Sequence, residues 1–368
     1  MLISLAASVA ALTLLAPAPV LAAAPVDDDL RASFEKARRS SRGKGVTVAV
    51  LGSGVARDLP ALGDRVLPGK SFVKPHGRPV HGTLMASMIH SLAPEAKILP
   101  VQITCDGGAP LDVTHCGGVG TPSDGLRWAA EKGADVIVVS RAWRGIDSGR
   151  EISYALSKGA VVVAPNVRLR PSGGSLPGRR EPVVPARDPG VVGVAVVDAQ
   201  GRPDRDSALT SASLVAAPGH RRAATGPDGR TWTFWGEGPA VSLVAAAAAL
   251  VRSEHPDAGP AEVAAALAAS ARHPKGGYDP SVGFGLIDPA AALRAVPERT
   301  STETEAGLDP ASFPAGEPPV IAAVGHRPVA FAVPAGALGG GLVLLGAAAV
   351  LGRRGRTRPE APAVEPAP

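Results

Sequence analysis

His81-Gly82-Thr83 is the group of residues in this chain whose types could do chemistry. An imidazole can take a proton from a hydroxyl nucleophile and later return it, provided an anion fixes its tautomer and balances its charge. The triplet opens an apolar, small-residue run, Leu84 to Ile89, that reads as a buried helix. Upstream, the strand-like run Val46 to Leu51 ends in the turn Gly52-Ser53-Gly54. Far downstream, Gly236-Glu237-Gly238-Pro239-Ala240 leads into a second small-residue helix, Val244 to Val251.

Such residues need a framework to meet. Between residues 45 and 296 strand-like and helix-like stretches alternate, which predicts a mostly parallel sheet with helices on both faces. Strands are expected at 46–51, 97–103, 135–139, 160–164 and 191–197. Helices are expected at 83–92, 123–132, 149–158, 239–252, 260–270 and 289–295. Residues 25–44, charged and polar, read as a short N-terminal helix or arm. With aromatics at 3% of residues and 44 glycines, the core must be built from Ala, Val and Leu.

Residues 1–24 have the apolar stretch and small-residue end of a secretory signal peptide, without the usual basic start. Residues 297–328 are rich in Glu, Thr, Pro and Gly and read as a linker. Residues 329–351 are long and apolar enough for a transmembrane helix. The basic Arg353, Arg354, Arg356 and Arg358 follow, placing a cytoplasmic tail at 352–368 and the folded domain outside the membrane. Cys105 and Cys116, the two cysteines, are expected to form a disulfide in that oxidising setting. His115, His220, His255 and His273 show no ligand spacing and are expected to be exposed, so no metal or other cofactor is expected. A net charge of +5 without a basic run before the C-terminus gives nucleic-acid binding no support.

The order of these segments resembles the subtilases, the subtilisin-like serine peptidases. Supporting stretches are Gly45 to Leu51, Ala93-Pro94-Glu95-Ala96, Gly133 to Ser140, Ala216-Ala217-Pro218-Gly219 and Gly283-Phe284-Gly285-Leu286-Ile287-Asp288. With signal, linker and C-terminal anchor, the architecture is most similar to the mycosins, membrane-anchored subtilases associated with type VII secretion. The resemblance implies a subtilisin-like three-layer α/β fold. It also implies that His81 is the only triad residue retained, because Gly52 stands at the acid position and Gly238 at the nucleophile position. Asn166 matches the oxyanion position only in a shortened segment. Ser140, Arg141, Trp143 and Glu237 fall along the substrate cleft, with Arg and Trp replacing small residues.

The expected function is therefore a pseudoprotease, binding a peptide or protein in a degenerate cleft or scaffolding type VII secretion membrane components. Without partners, His81 is expected to be a surface imidazole of ordinary pKa, with Glu237 pairing either with it or with Arg141. The alternatives are an active serine endopeptidase using displaced residues, Asp58 or Asp64 with His81 and Ser242, and a module that sequesters a protease pro-segment.

Overall fold

A computed structural model describes residues 26–74, 77–106, 121–143, 148–167, 184–205 and 207–296. The expected signal segment 1–24, the linker 297–328, the anchor 329–351 and the tail 352–368 lie outside the described residues. Among the described residues no helix is long and apolar enough to cross a membrane.

Among the described residues seven parallel strands form one sheet. In chain order they are β1 (Thr47–Gly52), β2 (Lys70–Ser71), β3 (Lys97–Gln102), β4 (Val136–Val139), β5 (Val161–Pro165), β6 (Val192–Val197) and β7 (Val215–Pro218). Their spatial order is β2-β3-β1-β4-β5-β6-β7. The central strands β1, β4, β5 and β6 are near-continuous runs of small and β-branched residues because both faces of the sheet are covered there, whereas edge strand β2 is short and polar and β3 begins on the exposed Lys97. Side chains alternate between the faces. On β1, Val48 and Val50 enter one core cluster with Met85 and Ala245, while Ala49 and Leu51 enter a second with Leu126 and Ile152.

The first cluster is roofed by α2 (Val80–Leu92) and α5 (Glu237–Glu254). The second is roofed by α3 (Pro122–Glu131) and α4 (Gly149–Ser157). Chain progress reverses about β1, with β3 on one side and β4 on the other. In open α/β sheets the crevice at the carboxyl ends of such strands is where ligands are received. Gly52, the end of β1, and Ser140, directly after β4, both lie there.

α1 (Val26–Ala37) belongs to the body of the domain and is no loose arm. Its Leu30 and Phe34 are 4% and 1% exposed in the first core cluster. Ser33 Oγ donates to Asp288 Oδ1 at 2.5 Å and accepts from Ala290 N at 3.0 Å, fastening α1 to the start of α7 (Pro289–Ala295). α6 (Pro260–Ala269) precedes α7. An antiparallel hairpin of β8 (Arg222–Thr225) and β9 (Thr231–Phe234), absent from the sequence expectations, lies between β7 and α5.

Candidate functional site

Three chain segments meet at the start of α2. The close approach requires glycine at position 82: a β-carbon there would lie 2.1 Å from the carbonyl oxygen of Gly54. Helix N-termini leave backbone donors without intrahelical partners. Here Asp106 Oδ2 accepts from Val80 N and from His81 N, the latter at 3.0 Å. Ser53 Oγ accepts from Gly82 N at 3.0 Å, and Thr83 Oγ1 accepts from Ala56 N at 2.9 Å. The His-Gly-Thr triplet is thus a packing joint between β1 and α2 as well as a carrier of an imidazole. Asp106 is the residue that sequence reasoning missed. It lies far from His81 in the chain, and nothing local announces that its carboxylate caps α2.

His81 faces Gly238 across the crevice. A β-carbon on Gly238 would lie 2.5 Å from His81 Nε2 and 3.0 Å from its Cε1, so the ring fills the space a residue-238 side chain would need. The edge of Phe234 closes another side, with ring centroids 6.2 Å apart and planes at 81°. Gly236, at φ 92°, makes the turn that sets Glu237 and Gly238 at the head of α5.

The expectation of a surface imidazole with ordinary pKa is corrected by this packing. His81 is only partly exposed, and its pKa lies below 6.5 chiefly because burial disfavours the charged ring. Glu237 opposes that shift, Arg141 adds to it, and Asp106 opposes it. Glu237 pairs with Arg141, at 3.5 Å between Oε1 and Nε, with side chains 27% and 42% exposed.

At the acid position, a β-carbon on Gly52 would lie 2.8 Å from Ser140 Oγ. Ser140 is itself buried and supplies no anion. Asn166 follows β5 and is 1% exposed. Its Nδ2 donates to Thr210 Oγ1 at 2.9 Å and to Ser213 Oγ at 2.7 Å, so the amide donors expected for an oxyanion are spent inside the domain. Trp143, expected on the cleft wall, has its side chain 2% exposed in the second core cluster, and its backbone N–H donates to Val184 O at 2.7 Å. Of the four residues expected along the cleft, Arg141 and Glu237 are the two whose side chains keep solvent exposure.

The displaced set does not assemble. Ser242 is fully buried on α5, and its Oγ donates to Gly238 O at 2.8 Å. Asp58 is exposed, and the side chain of Asp64 lies fully in solvent beside Arg65. Two other histidines are less exposed than expected: His220 Nε2 meets Asp27 Oδ2 at 2.6 Å, and His255 Nε2 meets Leu293 O at 2.7 Å. His273 is exposed as expected, while His115 and Cys116 lie outside the described residues. No group of three potential metal ligands occurs among the described residues.

A parallel sheet of this order, with the histidine helix and the α5 head meeting at its carboxyl edge, defines the subtilisin-like class. The Subtilase family pattern matches residues 43–285, and the chain belongs to that family. Among its relatives is Mycosin-1 of Mycolicibacterium smegmatis, 32% identical over 321 residues that cover 71% of this chain and 70% of the relative. The crystal structure of MycP1 from Mycobacterium smegmatis superposes with a TM-score of 0.61 at 31% identity, covering 73% of this chain and 84% of that one. MycP1 from the ESX-1 type VII secretion system gives a TM-score of 0.61 at 30% identity, covering 73% and 85%.

Proposed function

We propose that this mycosin-like subtilase is a pseudoprotease, held on the outer face of a membrane and acting as a binding or scaffolding component of a type VII secretion assembly. The observation that carries the reading is the contact between His81 and Gly238. Where nucleophilic catalysis needs a hydroxyl beside the base, the imidazole abuts a residue with no side chain. Gly52 likewise offers no carboxylate to orient the ring. In subtilisin, loss of the nucleophile alone costs about a millionfold in turnover. The spent amide of Asn166 supports the same reading from the oxyanion side.

The likeness to mycosins and to MycP1 of the ESX-1 type VII system supports the secretion assignment. The leader 1–24, the anchor 329–351 with its following arginines and a Cys105–Cys116 disulfide complete the proposal of an exported, tethered domain. A bound peptide or protein would meet the Arg141–Glu237 pair at the crevice mouth.

A serine-reactive fluorophosphonate applied to the purified full-length chain tests the catalytic half; no labelling is expected. Labelling that is lost in Ser242→Ala would replace the reading with an active serine endopeptidase. Crosslinking in intact membranes tests the partner half, which fails if no secretion-machinery subunit is recovered.

A further inference from the structure

We propose that a cavity walled by α1, α2 and β8 binds a carboxylate carried on a short apolar tail. The cavity lies at the far end of α2 from His81 and does not depend on the catalytic state of the crevice. Its volume is about 370 Å³, at the small end of the range of ligand sites. Its floor is apolar, formed by Leu30 and Phe34 of α1, Met88 of α2 and Leu243 of α5. Its rim is cationic.

Four arginines line the cavity; Arg31 is taken up by Asp28 and Glu35, and the other three decide the ligand's charge. Arg222 is already paired with Asp27, yet its Nε is buried without a partner. Arg38 donates through Nη1 to Ser91 O at 2.8 Å, which uses one of five guanidinium donors. Arg221 lies over the ring of Trp235, 5.0 Å from its centroid, an arrangement that leaves its N–H donors unspent. Among the described residues neither Arg38 nor Arg221 has a carboxylate partner. Asp27 is shared between Arg222 and His220, and Asp28 faces Arg31 at 3.2 Å, so the acids at this cavity are themselves paired.

An apolar floor beneath unspent guanidinium donors fits a single anionic head on a hydrocarbon stem. The guanidinium fork matches a planar carboxylate in two parallel hydrogen bonds. The volume limits the stem to a short acyl chain or one apolar residue at a peptide C-terminus. Because α1 supplies one wall, a bound ligand also ties that helix to α2.

Isothermal titration of the full-length chain with hexanoate and with N-acetylleucine tests the proposal, with hexanamide and N-acetylleucinamide as neutral controls. At least one acid is expected to bind, with its amide weaker by roughly tenfold or more, the worth of a charged hydrogen bond. Arg38→Gln combined with Arg221→Gln should weaken the acid by a similar factor. Ala223→Tyr, at an exposed position of the wall, should block it without disturbing the core. Hexanoate binding alone identifies a lipid-type acid, and N-acetylleucine binding alone identifies a peptide C-terminus. Absence of binding by both acids, equal binding of acid and amide, or unchanged binding in the double arginine variant would overturn the proposal.

Discussion

His81 Nε2 stands 2.5 Å from the point that a β-carbon on Gly238 would occupy. The contact is one of mutual fit, since the ring fills the hollow that the glycine leaves at the head of α5. Two glycine substitutions near this contact separate soft from rigid neighbours. At Gly238→Ala the obstacle is the end of a side chain that can rotate away, and the cost should be below about 1 kcal/mol. At Gly82→Ala the obstacle is the Gly54 carbonyl, fixed in the backbone, and the cost should reach about 2–3 kcal/mol. Urea unfolding of both variants measures the contrast, and equal costs would contradict it.

The charges at the crevice mouth act on His81 with known signs. Glu237 raises its pKa and Arg141 lowers it. Glu237→Gln should therefore move the imidazole titration to lower pH, and Arg141→Gln should move it to higher pH. Nuclear magnetic resonance of the labelled ring reads both directions in one experiment.

The depressed pKa of His81 also makes stability depend on pH. Below 6.5 the unfolded ring binds more protons than the folded one, so stability rises with pH across that window. The contribution is present above 6.5 and is lost as pH falls through the folded pKa, at no more than about 1.4 kcal/mol per pH unit for each such group. His90 is shifted the same way, by burial and then by Arg65. Urea unfolding from pH 5 to 8 should show the slope diminished in His81→Gln and further diminished when His90→Gln is added.

Asn166 is held as a structural amide by Thr210 and Ser213. Asn166→Ala should cost about 2 kcal/mol or more, because the buried Ser213 hydroxyl and the part-buried Thr210 hydroxyl lose their partner. A catalytic donor facing an empty crevice would carry no such cost. Calorimetric melting of the variant decides between the two.

Phe34 tests whether α1 is part of the domain. At 1% exposure within the first core cluster, Phe34→Ala should destabilise by about 3–5 kcal/mol, as for other buried aromatic truncations. A detachable arm would leave the melting temperature of the remaining domain unchanged.

Much of the framework was legible in the sequence. The strand expected at 46–51 is β1 (Thr47–Gly52), and that expected at 191–197 contains β6 (Val192–Val197). Strands covered on both faces read as unbroken β-branched runs, and their periods differ from those of the helices. β8 and β9 are not announced by the sequence because Arg222–Thr225 has no apolar alternation, and Thr231–Phe234, which does alternate, is only four residues long and exposed at its first three positions. Their turn was nonetheless written in Gly226-Pro227-Asp228-Gly229, a combination suited to reversing the chain.

The sequence by itself determined the family order of segments and the identity of the side chains at positions 52, 81 and 238, because chain order and residue type are local information. Tertiary structure alone decided that Asp106 caps α2, that Trp143 turns into the core and that Asn166 spends its amide inward. It also decided that Glu237 faces Arg141, and that His81 is desolvated against Gly238. Each depends on distances between segments far apart in the chain, and only the close packing of the folded domain sets those distances.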